Sequence, residues 1–192
     1  PVVIYDRGIQ REVINVGTGL VQERHTSDFW VFEGVDKRDY AVSGTWGADG
    51  TTYFWDVTDP AQIRKIDSIQ VDARTVNDVK VSEDGRISVI SREGASSRRN
   101  GIVIIDTTNP YDVNIISEYT TNLTGGVHNV FIYQDHVFAL SNGERFYVIN
   151  IEDPKNPYEV GMFEIGEKGQ AIHDVWIEDG IAYSSNWKHG VY

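Results

Sequence analysis

The sequence predicts an all-β fold, a β-propeller of four-stranded antiparallel blades, and three observations carry that expectation. One phrase recurs, as YFWDVTDPAQI from Tyr53, VIIDTTNPYDV from Val103 and YVINIEDPKNP from Tyr147. Aligning Asp56, Asp106 and Asn150 sets the copies 50 and 44 residues apart, and each is followed by an Asp-Pro or Asn-Pro pair: Asp59-Pro60, Asn109-Pro110, Asp153-Pro154. A second anchor keeps step with the first: Ser27-Asp28-Phe29, Asn77-Asp78-Val79, His128-Asn129-Val130 and His173-Asp174-Val175, at intervals of 50, 51 and 45. Finally, no window sustains a helical period over about three turns. A repeat of roughly 20–50 residues marks a stacked architecture, and four strands per repeat mark a propeller blade.

Each element follows from local chemistry. Val2–Asp6 (VVIYD) reads as a third strand of a blade, although it runs into Arg7-Gly8 where the other copies have the Asp-Pro turn. In a complete unit two short β-rich runs come first, joined by a tight turn. VKVSEDGRISVIS, Val79–Ser91, turns at Asp84-Gly85, and VWIEDGIAYSSN, Val175–Asn186, turns at Asp179-Gly180. Asp-Gly between such runs is a hairpin signal because both residues tolerate positive φ. The third strand is apolar at every position, as in Ile102–Ile105, which fits burial on both faces. It stops at the motif turn, because proline has no N–H for the ladder and the preceding Asp or Asn bonds its own backbone. A more polar fourth strand follows, such as Val113–Tyr119. A two-sheet sandwich also shows regular turns, but it does not require a four-strand period.

These units divide the chain into a part-blade at 1–20, blades at 21–72, 73–123 and 124–168, and a part-blade at 169–192. Val2–Asp6 aligns with Ile102–Asp106, and Gly190-Val191-Tyr192 aligns with Gly101-Ile102-Val103. The content is therefore about four blade equivalents cut at nearly the same phase. Either the terminal strands close a four-bladed ring or the segment belongs to a larger one. The third strand begins twice, which favours the larger ring and implies missing blades of the same chain.

FYVINIEDPKNPYEVGMF and GIVIIDTTNPYDVNIISEY resemble the repeats of the LVIVD-repeat family of bacterial β-propellers, whose motif is an apolar strand ending in Asp before a Ser/Asp-Pro turn. The resemblance covers essentially the whole chain. Asn150 replaces the aspartate in one unit, and the first unit lacks the turn. Membership would imply an exported or cell-surface bacterial protein of undefined activity, placed extracellularly, at the cell surface or in the periplasm.

Composition narrows the partners. A net charge of -12 repels phosphate backbones and anionic lipid, so no nucleic acid partner and no direct membrane insertion are expected. No apolar run approaches a membrane span. Cysteine is absent, which removes disulfides and thiolate chemistry.

Candidate chemistry gathers where the repeat places it. The second anchor puts His128 and His173 in equivalent positions of successive blades, with Asn77 and Ser27 in the others, and His25 two residues before Ser27. Neutral imidazoles around one axis suit a transition metal, which makes His25, His128 and His173 the candidate metal ligands. Only two of four blades carry His at the aligned position, however, and a polar residue repeated in each blade more often ties loop N–H groups between blades. The Asp28, Asp78, Asn129, Asp174 series reads the same way. Arg92, Arg98 and Arg99 concentrate in SREGASSRRNG, Ser91–Gly101, where guanidinium forks can grip a carboxylate or phosphate; a solvated, mobile loop is the plainer reading.

Trp30, Phe131 and Trp176 hold aligned inner-strand positions and are expected to pack between blades, whereas Trp46, Trp55 and Trp187 are candidates for surface contacts. His136 and His189 read as surface residues. Gly44–Thr52 lacks the ligand count of a calcium loop. Asn122-Leu123-Thr124 matches a glycosylation acceptor that matters only in a eukaryotic secretory context. No GxSxG elbow, phosphate-binding glycine loop or HExxH occurs. The expected function is a non-catalytic binding or scaffold module for a protein or glycan, without a cofactor. The alternative is a metal-dependent enzyme, similar to propellers of the selenium-binding or methanethiol-oxidase type, with a histidine-lined site at the channel mouth.

Overall fold

A computed structural model describes residues 2–6, 9–21, 24–166 and 171–192, with side chains from residue 14 onward. Among the described residues the chain is all-β, with a single short 3₁₀ turn at Trp187–His189. A two-stranded sheet pairs β1 (Val2–Asp6) with β2 (Ile9–Val13). Three four-stranded antiparallel sheets follow. The first contains β3 (His25–Glu33), β4 (Asp39–Trp46), β5 (Thr51–Asp56) and β6 (Arg64–Gln70). The second contains β7 (Val79–Val81), β8 (Ile87–Arg92), β9 (Gly101–Asp106) and β10 (Asn114–Tyr119). The third contains β11 (Val127–Tyr133), β12 (His136–Ser141), β13 (Arg145–Asn150) and β14 (Tyr158–Glu164). A hairpin of β15 (Asp174–Glu178) and β16 (Ile181–Ser185) comes last. Strand order within each sheet is sequential, and the innermost strands β3, β7, β11 and β15 neighbour one another in series. These are propeller blades, and they do not close into a ring.

Alternation along β9 shows why its residues are apolar on both sides. Val103 and Ile105 enter the layer shared with the first sheet, beside Phe54, Val42 and Ile90. Ile102 and Ile104 enter the layer shared with the third sheet, beside Val130, Val137 and Ile149. A third layer, with Phe131, Leu140, Phe146, Val175 and Ile177, joins the third sheet to the last hairpin. The second and third sheets are thus each one wall of two cores. Gly190–Tyr192 begins to pair beyond β16, where Ser184 and Tyr192 exchange backbone bonds of 2.9 and 3.1 Å, as a third strand would.

The turns repeat atom for atom. In the recurring motif Asp56, Asp106 and Asn150 accept through Oδ1 from the N–H of Thr58, Thr108 and Glu152, at 3.2, 2.9 and 3.1 Å. The bond needs only a carbonyl-type oxygen, so Asn150 serves as well as aspartate. Asp59, Asn109 and Asp153 accept from Ala61, Tyr111 and Lys155 in the same way, at 3.0, 3.2 and 3.0 Å. At the Asp84-Gly85 hairpin, Gly85 adopts φ 73° and a Cβ there would stand 2.4 Å from the carbonyl oxygen of Glu33 in the first sheet. Glycine is required both for the turn and for the approach of the next blade.

One motif residue does more than turn the chain. Asp56, 2% exposed, accepts from Arg38 at 2.6 Å, Arg64 at 2.8 Å and the Tyr111 hydroxyl of the second sheet at 2.8 Å. Burial alone would raise this carboxyl, but the bonds from Tyr111, Thr58 and Arg64 hold it well below the ordinary carboxylate range. A depressed carboxylate adds stability above the ordinary range, and that stability is lost as pH falls through the depressed value. Asp56→Asn should therefore lower the unfolding free energy by about 1–3 kcal/mol at neutral pH. In urea denaturation the gap from wild type should narrow on acidification; a gap independent of pH would contradict this account.

Candidate functional site

Strand alternation places the anchor residues, the loops between second and third strands and the blade-to-blade linkers at one end of the sheets. The motif turns and first hairpins lie at the other. The anchors tie each blade forward to the next. Ser27 donates to the Val76 carbonyl at 2.5 Å, and Asn77 Nδ2 donates to the His128 carbonyl at 2.7 Å. Asp28 accepts from Val79 N–H at 3.4 Å, and Asp78 accepts from Val130 N–H at 2.7 Å. Inner strands need such ties because their linker ends otherwise leave buried backbone groups unpaired. At the next joint the series changes, since Oδ1 of Asn129 is buried without a partner among the described residues.

The same joint brings His128 and His173 together, with ring centroids 5.0 Å apart. His128 Nδ1 lies 3.1 Å from Glu93 Oε1 and 3.2 Å from Asn77 Nδ2. The carboxylate accepts only, so Nδ1 carries the proton, and the neutral ring keeps its lone pair on Nε2. The Glu93 bond raises the His128 pKa against the opposing effect of burial, and the charges of Glu93, Asp78 and Asp174 add to the rise. His173 also meets the ring of Trp187 edge-on at 4.7 Å. A cavity of about 380 Å³ lies beside them, lined by His173, Asn186, Trp187 and Val191.

His25 is placed differently. Its ring contact is with Trp46, at 6.5 Å in the first sheet. Among the described residues no group of three or more His, Asp or Glu side chains is arranged to hold a metal ion. A metal at this mouth would rest on Nε2 of His128, oriented by Glu93, and on His173. Ser27, the hydroxyl of the anchor series, donates to the Val76 carbonyl.

The three arginines do not converge. Arg92 is buried at 3% exposure and bonds Glu118 at 2.9 Å, while Arg98 and Arg99 are exposed. Their loop is anchored by Asp72, which accepts from Ser96 and Ser97 N–H at 2.7 and 3.0 Å, and by Asn100, which donates to the Thr124 carbonyl at 2.8 Å. Trp55 is buried and donates to Ser43 at 2.9 Å, whereas Trp46 and Trp187 are exposed at 53% and 69%. Trp30 reaches past the neighbouring blade to Phe131, at 6.5 Å, and Phe131 meets Trp176 at 4.8 Å. The aligned aromatics therefore meet one another along the inner edge; Phe131 is buried between sheets and Trp30 partly so, whereas Trp176 is 50% exposed and does not pack between blades as expected. At the opposite end a groove of about 520 Å³ opens between the second and third sheets, lined in part by Asp84, Arg86, Asp106, Asp135, Glu152 and Lys155.

Sequence reasoning missed Glu93, Asp56's partners and Lys80. Glu93 sits in a loop of varied composition with no counterpart in the repeat.

No family model matches the chain, and no curated protein matches it by sequence. Solved structures do. A hypothetical selenium-binding protein from Sulfolobus tokodaii superimposes with a TM-score of 0.67 at 15% identity, over 84% of this chain and 46% of that one. A candidate 6-phosphogluconolactonase from Bacteroides fragilis superimposes with a TM-score of 0.59 at 13% identity, over 73% of this chain and 39% of that one. Both have propeller-type folds, and this chain spans less than half the length of either.

Glu93→Gln should return the His128 titration, followed by NMR, toward the ordinary value of about 6.5. A raised histidine pKa adds stability that is fully present below that value and lost as pH rises through the raised one. The stability advantage of wild type over the variant should accordingly be largest in mild acid and decline toward alkaline pH; an unchanged His128 titration would show that Glu93 is not its partner.

Proposed function

We propose that this chain is part of a non-catalytic binding propeller that recognises a protein or glycan component of a surface, working outside the cell, on its surface or in the periplasm. One observation supports the reading above others: the linker end displays rings from separate blades, exposed at His25, Trp46, His173 and Trp187 and half-buried at His128. His25 and Trp46 stand on the first sheet, and His128, His173 and Trp187 stand at the last joint. Flat aromatic rings beside imidazole and carboxylate groups offer stacking area with few hydrogen bonds, the chemistry of a recognition surface. The anchor side chains of Ser27, Asn77, Asp28 and Asp78, which catalysis would need free, are engaged in ties between blades. The LVIVD-like repeats support an exported protein, and the neighbours' names add nothing to ligand identity.

Surface polysaccharides and surface proteins of the host, titrated against intrinsic tryptophan fluorescence, provide the test. Combining Trp46→Ala with Trp187→Ala should weaken a bound ligand roughly 10-fold or more, with the fold intact by circular dichroism. Undiminished affinity in the double variant would remove this surface from the function.

A second reading rests on His128 and His173, whose adjacency and Glu93-fixed tautomer suit a transition metal that would supply Lewis-acid or redox chemistry. Elemental analysis of tag-free protein separates the two. Stoichiometric metal that disappears on joint substitution of His128→Ala and His173→Ala favours the enzyme, and metal-free protein that still binds its ligand favours the module.

A further inference from the structure

The first and second sheets meet at a lysine caught between two carboxylates. The inner-strand position that carries Trp30, Phe131 and Trp176 in three blades carries Lys80 in the second. Its ammonium lies 3.1 Å from Asp28 Oδ2, is hydrogen-bonded to Asp78 Oδ1, and sits 5.0 Å from the centroid of the Trp30 ring. Side-chain exposure is 12% for Lys80, 3% for Asp78 and 34% for Asp28. Asp78 has both oxygens occupied, by Val79 N–H at 2.9 Å and Val130 N–H at 2.7 Å. Asp28 holds both Val79 N–H and the ammonium on Oδ2. Burial pushes the Asp78 carboxyl up, to about 8, the hydrogen bond with Asp28 reinforces the rise, and Lys80 opposes it. Asp28 is lowered despite its own burial, chiefly by the bond from Asp78 and the charge of Lys80. Of the two carboxyls, Asp78 is the one that burial pushes toward the protonated form.

From this arrangement we infer that Lys80 and Asp28 condense into an intramolecular amide that joins the first and second blades covalently, with Asp78 as the proton-transfer group. In water an ammonium and a carboxylate resist condensation because both are well solvated. Here Lys80 and Asp78 are largely desolvated, with the ammonium over the Trp30 ring, and fixed neighbours react with effective molarities on the order of 10⁵–10⁸ M. Asp78 donates its proton to the Asp28 carboxylate, and the ammonium passes one to Asp78. The freed amine attacks Cγ of Asp28, the Cγ–Oδ1 bond breaks, and Oδ1 leaves as water. Nitrogen keeps one of its three protons, two depart with the water, and Asp78 ends protonated as it began. Ammonium plus carboxylate thus becomes amide plus water, with no oxidant or cofactor. Oδ2 remains as the amide oxygen and still accepts from Val79 N–H.

Intact-mass spectrometry of the denatured chain decides the matter without depending on any variant's folding. The expected wild-type mass is the sequence mass less one water, with a branched tryptic peptide that joins the segments containing Asp28 and Lys80 and no cleavage after Lys80. Lys80→Arg and Asp78→Asn should each restore the full mass. A wild-type chain at full sequence mass overturns the inference. So does a water loss that maps to a succinimide at Asp49-Gly50, Asp84-Gly85 or Asp179-Gly180, or an amide carried by Asp78.

Discussion

Everything in this chain depends on the sheets having two apolar faces and no means of burying them alone. The alternation of Ile102 and Ile104 against Val103 and Ile105 commits β9 to two partners at once. Removing either neighbour would expose a wall of Ile and Val, each contributing roughly 1.5–3 kcal/mol through burial. Such a strand folds only in a series. The polar groups then set spacing and direction along it: anchor residues reach forward at the linker end, and Tyr111 and Ser117 do the same work at the turn end, bonding Asp56 and the Pro154 carbonyl across neighbouring sheets.

The two ends are chemically unlike. Repeated Asx turns fill the motif end and fold its backbone donors onto side-chain oxygens, so its geometry is uniform from blade to blade. Loops at the linker end differ in length and sequence, and there the rings of Trp46, His128, His173 and Trp187 collect. Variation on a rigid repeat is where specificity is ordinarily built. The structural neighbours share the architecture at 15% and 13% identity.

Local chemistry was legible in the sequence and juxtaposition was not. The hairpins at Asp84-Gly85 and Asp179-Gly180, the proline turns and the two-faced third strands all follow from residues within a few positions of one another. Asp56 read as a turn residue, which it is; nothing local revealed that Arg38, Arg64 and Tyr111 converge on it, because they come from three separate segments. His128 and His173 were visible through the repeat, whereas His25 was grouped with them by offset alone and is seated against Trp46. The arginine loop read as a basic cluster, yet Arg92 points between sheets while Arg98 and Arg99 face solvent. Lys80 passed unnoticed because it replaces an aromatic, and substitutions within a repeat register only when each copy is compared position by position.

Asn129 gives the assembly a grain. Earlier joints are latched by a carboxylate that grips the following inner strand, but at the joint before β15 the corresponding oxygen grips nothing among the described residues. A row of panels hinged alike except at one seam parts at that seam when heated or pulled. Partial opening should therefore begin between β11 and β15, where the paired histidines sit, so that the rings of the linker end and the joint without its latch coincide.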